Sequence, residues 1–367
     1  MKEKLAILMI LTMITGLFGG CAPSPSASPA PPNPSQTAAA GAAARTFTDS
    51  LDRQVEIPSS IDRIAPSGPL AQIVLFSLAP EKLVSLSSDW SDTAAAYLDV
   101  SYLQLPVTGQ LYGSKGTLNL EGIAAVDPQL IIDIGDRKDG MAADMDALQE
   151  QLGIPVVFIA AATAGMSDAY RMLGELLGLS GEAEALASYC DEIYGNTVAV
   201  MEEMGNNKAK LLYCLGQEGT SVIAKGSYHG EIIDLLADNV AVLDNPSSKG
   251  TGNEVDFEQL CRWEPDVILF APDGAYALAG EDARWRELDP IAEGRYYEVP
   301  FGPYNWMGFP PSVNRYMGMI WLSELLYPDA FEYDLYDEAA RYYRLFYHCE
   351  LTQEQFAGLT AHSLIRQ

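Results

Sequence analysis

The chain has 367 residues, a formal net charge of −28 and 48% hydrophobic residues. That apolar content is typical of a globular protein with substantial cores, and the length suffices for two domains of ordinary size. So acidic a chain is a poor partner for nucleic acid, which needs Lys and Arg to neutralise its phosphates, and anionic lipid repels it. None of its cysteines sits in a CxxC pair, so the usual zinc-site spacing is missing.

In chain order, Lys2 and Lys4 precede an apolar run from Leu5 to Phe18. The run is too short to cross a hydrocarbon core, which takes about 20 helical residues. A basic start, a short apolar core and small residues before a cysteine predict a secretory signal over residues 1–20. Its end, Leu17-Phe18-Gly19-Gly20-Cys21, resembles a bacterial lipobox, with Phe18 where an aliphatic residue is usual. Cys21 is then the acylated mature N-terminus, which places the protein on the outer face of the cytoplasmic membrane. Residues 21–44 are almost entirely Pro, Ala, Ser and Gly, a tether that cannot bury enough apolar surface to fold.

From Arg45 onward, apolar runs of strand length alternate with helical patterns. Strands are predicted at Arg63 to Ala65, Leu83 to Leu86, Leu130 to Ile134 and Val156 to Ile159. They recur at Ala209 to Cys214, Ser221 to Ala224, Val240 to Leu243, Val267 to Phe270 and Tyr296 to Val299. Helical stretches between them, such as Gly68 to Leu78 and Tyr228 to Ala237, predict an α/β fold with parallel sheets covered by helices. Between the two sets, Ser167 to Leu177 reads as one helix and Glu182 to Met204 as another, about 34 Å long at 1.5 Å per residue. The second is long enough to join two lobes stiffly. The predicted division is a lobe over 45–180, an interlobe helix over 181–205, a lobe over 206–328 and a helical extension over 329–367. The extension is expected to pack on the second lobe. Cys190 and Cys261 fall on apolar helix faces and Cys214 in a strand, so buried free thiols are expected, Cys349 included.

A repeat supports two related lobes. Leu118-Asn119-Leu120-Glu121-Gly122-Ile123 leads through Val126-Asp127-Pro128 into Leu130-Ile131-Ile132. Val255-Asp256-Phe257-Glu258-Gln259-Leu260 leads through Trp263-Glu264-Pro265 into Val267-Ile268-Leu269 at the same offset. Each copy reads as a capping residue, a short helix, an acidic-Pro stop and a buried strand. Facing lobes of this kind enclose a cleft.

In these segments the chain resembles the substrate-binding proteins of the iron-siderophore, haem and cobalamin ABC importers, the helix-linked class of periplasmic binding fold. The resemblance runs from about Phe47 to Pro328. It opens at Phe47-Thr48-Asp49-Ser50-Leu51-Asp52-Arg53 and closes with Gly302-Pro303-Tyr304-Asn305-Trp306 and Pro310-Pro311-Ser312-Val313-Asn314-Arg315. It implies a monomeric binding protein without cofactor, not an enzyme, that delivers an iron chelate, haem or corrinoid to a permease. It also implies that one glutamate per lobe, Glu121 and Glu258 by position, docks on the permease.

Ligands of open α/β sheets sit beyond the carboxyl ends of the strands. Loops expected there carry Ser67, Tyr112, Arg137, Lys138, Tyr228, His229, Tyr304 and Trp306, and the closing motif adds Arg315. The aromatics suit a planar or bulky ligand, and Arg137 and Lys138 suit a chelate's negative charge. Tyr112 and His229 are the candidate axial ligands should the cargo be haem. A ferric siderophore leads these expectations; a bare oxyanion suits so acidic a protein less. No GxSxG, HExxH or GxGxxG motif points to catalysis. A membrane sensor reading the loaded protein is the competing role.

Overall fold

A computed structural model of the chain describes residues 44–112 and 117–365. The signal segment, Cys21, the tether up to residue 43 and the stretch 113–116 lie outside the described residues. The first parallel sheet comprises Ile64–Pro66, Leu130–Gly135 and Val156–Ala160, with Leu130–Gly135 in the centre. Leu130 to Ile134 are all buried, because helices cover both faces of a parallel sheet and leave its central strand no polar side. The run from Leu83 to Leu86 adds only isolated bridges, Leu83 to Ile64 and Leu86 to Val107, rather than the full strand its apolar content predicts.

The second sheet repeats this order. Lys210–Leu215 pairs with Val267–Phe270, which pairs with Tyr296–Glu298, all in parallel. Asp238–Asn239 lies on the other side of Lys210–Leu215, and Ser221–Val222 and Asn253–Glu254 extend the sheet in antiparallel fashion. The strand expected at Val240 to Leu243 is therefore shifted towards the N-terminus. Val240 still donates to the Leu211 carbonyl at 3.1 Å, but Val242 is 64% exposed and has left the sheet.

The repeat has a matching geometry in both lobes. Asn119 accepts the Gly122 amide at 3.0 Å at the head of Leu120–Val126, and Asp256 accepts the Gln259 amide at 2.8 Å at the head of Phe257–Arg262. Both units then reach a left-handed acidic residue before proline, Asp127 at φ 44° and Glu264 at φ 45°. Proline disfavours a right-handed helical residue before it, and Asp and Glu here supply the exit turn.

Met166–Leu177 and Ser180–Met204 form an antiparallel helical pair turned at Gly178, whose φ is +73°. They approach closely because Gly174 faces Ala183, where an added Cβ would sit 2.5 Å from the alanine methyl. The longer helix has 25 residues and spans about 37 Å. Among the described residues no helix is long and apolar enough to cross a membrane.

The extension does not pack on the second lobe alone. Helix Leu335–Tyr347 touches Pro69–Leu78 of the first lobe as well as Ser180–Met204 and Asn314–Leu326. Gln355 donates to the Ala96 carbonyl of the first lobe at 2.7 Å, while Ser363 donates to the Glu298 carbonyl of the second at 2.5 Å. The apolar face of this helix carries Tyr342, Tyr343 and Phe346, all fully buried, and they find enough apolar surface only at the seam where both lobes meet the long helix. All four described cysteines are free; Cys190 and Cys214 are buried, but Cys261 and Cys349 are only partly so.

Candidate ligand-binding cleft

The carboxyl ends of the first-lobe strands open into a cavity of about 810 Å³, closed on its other side by second-lobe loops. Ser67 follows the first strand, and its amide extends the ladder to the Ile132 carbonyl at 3.1 Å. Its hydroxyl donates to the Asp133 carboxylate, and both residues are buried at the cavity floor. Burial pushes the Asp133 carboxyl up, while the Ser67 hydrogen bond and the Lys138 charge oppose that shift. Tyr112 stands beside them, its hydroxyl 3.3 Å from Asp144, with the Lys138 ammonium 5.3 Å from its ring centre.

From the second lobe come Tyr228, His229 and the loop Ser248-Lys249-Gly250-Thr251. His229 stacks on Phe309 at 4.7 Å, and its Nδ1 is buried with no hydrogen-bond partner among the described residues. Burial, and then the nearby Arg315 charge, hold its imidazole down at about 4. Burial pushes the Tyr228 phenol up to about 12, and the nearby Asp136 and Glu231 charges add to that shift. The floor carboxylate Asp133 thus has a hydroxyl donor. Lys82 and Lys225 pair with Asp62 and Asp238, whereas neither Lys138 nor Lys249 makes an ion pair among the described residues.

Ser67, Tyr112, Lys138, Tyr228 and His229 therefore share one cavity. The other expected contacts lie elsewhere. Arg137 points out towards Asp52, 4.0 Å away, with its side chain 57% exposed. Tyr304 packs beside Trp90, with ring centres 5.7 Å apart. Trp306 is buried and donates to the Tyr343 hydroxyl at 3.4 Å. These aromatics fill the core because their loop packs against Asn314–Leu326 and Leu335–Tyr347, where apolar rings must be buried. Arg315 is buried one layer behind the cleft. It pairs with Glu231 and donates to Thr163 Oγ1 at 2.9 Å and to the Tyr228 carbonyl at 2.6 Å. Glu121 and Glu258 are exposed in the first turns of their helices, and Arg262 contacts Glu258 at 3.2 Å.

Sequence reasoning overlooked Asp133 and Lys249. A lone carboxylate inside Leu130-Ile131-Ile132-Asp133-Ile134 was the available signal for the first. For the second it was a lysine in the small-residue stretch Ser247-Ser248-Lys249-Gly250, in a chain with few cations.

Residues 84–300 match the family model described as periplasmic binding protein. The chain belongs to the periplasmic binding protein family. An ABC transporter solute binding protein from Sulfurospirillum deleyianum superposes with a TM-score of 0.78 at 25% identity, covering 86% of this chain and 98% of that one. The molybdate-binding protein MolA of Haemophilus influenzae is 23% identical over 83% of this chain and 91% of its own. Its molybdate-bound structure superposes with a TM-score of 0.64 at 20% identity, covering 84% of this chain and 99% of that one. The catecholate-siderophore binding protein VctP of Vibrio cholerae has a TM-score of 0.51 at 16% identity, covering 70% of this chain and 91% of its own. As a family member, this periplasmic binding protein is the substrate-binding component of an ABC importer, acts outside the cytoplasm and partners a permease.

Proposed function

We propose that the protein captures an anionic metal complex, a ferric siderophore foremost, in the cleft between its lobes. It passes the complex to a permease docked through Glu121 and Glu258, and lipid on Cys21 keeps it at the membrane. The observation that carries the ligand class is the pair of lysines, Lys138 on the first-lobe wall and Lys249 on the second, facing one cavity without ion-pair partners among the described residues. The nearby Asp133 already accepts the Ser67 hydroxyl, so a bound anion meets the ammonium groups as its best unfilled contacts. Tyr112, Tyr228 and His229 supply flat apolar faces, and a space of about 810 Å³ suits a chelate better than a small ion.

A tetrahedral oxyanion is the second reading, favoured by the likeness to molybdate-binding MolA. Calorimetric titration of residues 45–367 with a ferric tris-catecholate, molybdate and haemin separates the candidates. The tris-catecholate is expected to bind tightest, and Lys138→Met or Lys249→Met to weaken it at least about tenfold, the loss of one short charge contact near ε of about 20. Haemin binding with a Soret band that shifts in His229→Ala or Tyr112→Phe would replace the siderophore by haem. Binding of none of the three overturns the proposal.

A further inference from the structure

A second cavity of about 500 Å³ lies beyond the carboxyl ends of the second-lobe strands Lys210–Leu215 and Val267–Phe270. It adjoins the cleft, since Gly250 and Thr251 line both. Phe309 is the partition. One face of its ring stacks on His229 of the cleft, and Tyr213, in the second cavity, meets it edge-on at 6.0 Å. At the junction stands Gly250, where an added Cβ would come within 3.3 Å of both His229 and Phe309. The Gly250 backbone thus packs closely against both rings at the seam where the two chambers meet.

The two chambers differ in chemistry. Among the described residues, Lys138 and Lys249 line the cleft, whereas no Lys or Arg lines the second chamber. Its walls are Tyr213, Leu215, Phe301 and Phe309, and Glu254 and Asp273 stand exposed at its rim. Asn305 donates to the Tyr213 hydroxyl at 3.0 Å and so fixes the one phenol of the wall. Such a chamber repels anions and favours flat uncharged groups.

We infer that the second chamber is a subsite for an uncharged aromatic or apolar arm of the same ligand whose anionic centre lies between Lys138 and Lys249. The inference rests on the anionic-ligand reading above and narrows it to a ligand of two chemically distinct parts. A bare oxyanion fills only the first chamber. A complex with aromatic arms fills both, gaining contact area at little cost in rotamer freedom.

The test uses the whole secreted part with two probes, a ferric tris-catecholate and molybdate. Ala271→Phe and Pro272→Phe each fill the second chamber from a position that does not line the cleft. Circular dichroism melting confirms that each variant is folded, and two sites guard against failure of one. Either variant is expected to weaken the tris-catecholate at least tenfold more than molybdate. Equal effects on the two probes, or none, overturn the subsite. So does a tris-catecholate that binds no tighter than molybdate, although loss of molybdate binding in Lys138→Met and Lys249→Met would then still uphold the anionic ligand. If neither probe binds, the subsite falls, and the functional proposal falls with it when haemin does not bind either.

Discussion

Arg315→Met should destabilise the protein by about 3 kcal/mol and loosen the joint between its lobes. The guanidinium side chain is only 4% exposed. It pairs with Glu231, donates to Thr163 Oγ1 at 2.9 Å and to the Tyr228 carbonyl at 2.6 Å, and lies 4.9 Å from the Tyr228 ring centre. Removing one partner of a buried ion pair costs about 3–5 kcal/mol, because the remaining charge stays desolvated. Glu231 is 39% exposed on its side chain and can rehydrate, which brings the expectation to the low end. Methionine keeps much of the apolar stem, so packing contributes little. Urea unfolding of Arg315→Met, Glu231→Gln and the double variant measures the loss and isolates the coupling, expected at about 1–2 kcal/mol. Thr163 belongs to the first lobe and Tyr228 to the second, so ligand affinity should fall as well, through the displaced Tyr228 wall. A cost below about 1 kcal/mol in Arg315→Met would refute the claim that this network ties the lobes.

His229 gives a pH signature. Its folded value of about 4 lies below the ordinary 6.5, so the unfolded chain binds the proton first. Its contribution to stability is therefore complete above about pH 6.5 and is lost as pH falls towards 4; urea midpoints of His229→Gln should fall less steeply than those of the wild type across that window. Gly318→Ala should lower stability by about 1–3 kcal/mol, read by thermal melting, because the new methyl group would overlap the Trp306 carbonyl against which the helix packs. Glu121→Arg with Glu258→Arg should abolish uptake in cells while calorimetry finds ligand affinity unchanged, since both side chains are exposed and neither lines the cleft. Deleting residues 348–367 should lower the melting temperature by several degrees, as it removes the contacts of Gln355 with Ala96 and of Ser363 with Glu298.

The sequence carried the architecture because periodic, local signals specify it. The capped helices after Asn119 and Asp256 and the buried strands after Pro128 and Pro265 are readable residue by residue. Their identical offset exposes the two lobes before any contact is known. Edge pairings were less legible. Whether Val240 to Leu243 or Asp238–Asn239 pairs with Lys210–Leu215 depends on where the chain leaves the sheet, which no local preference fixes. The site divided in the same way. Residues close after the parallel strands, such as Ser67 and Lys138, reach the cleft because topology puts strand ends there. Tyr304 and Trp306 share a loop that also points that way, but an aromatic ring reads alike whether it waits for a ligand or fills a core. Arg315 shows the limit most clearly. Its partners Thr163, Tyr228 and Glu231 are scattered over two lobes, so its role as a buried tie emerges only from the tertiary packing.

Those ties bear on how a chain of net charge −28 would hold the anion proposed above. Long-range repulsion by the whole surface is screened beyond about 8 Å at physiological ionic strength, so affinity rests on groups in direct contact. In the cleft those groups come from different lobes, Lys138 from one and Lys249 from the other, and they act together only if the lobes keep their spacing. The long helix Ser180–Met204, the Arg315 network and the extension that reaches both Ala96 and Glu298 each set that spacing from a different side. Fixing it in the empty protein removes part of the ordering cost that binding would otherwise carry. On the proposed function, the extension, expected to pack on one lobe, would be part of what allows Lys138 and Lys249 to outweigh a surface of the opposite sign.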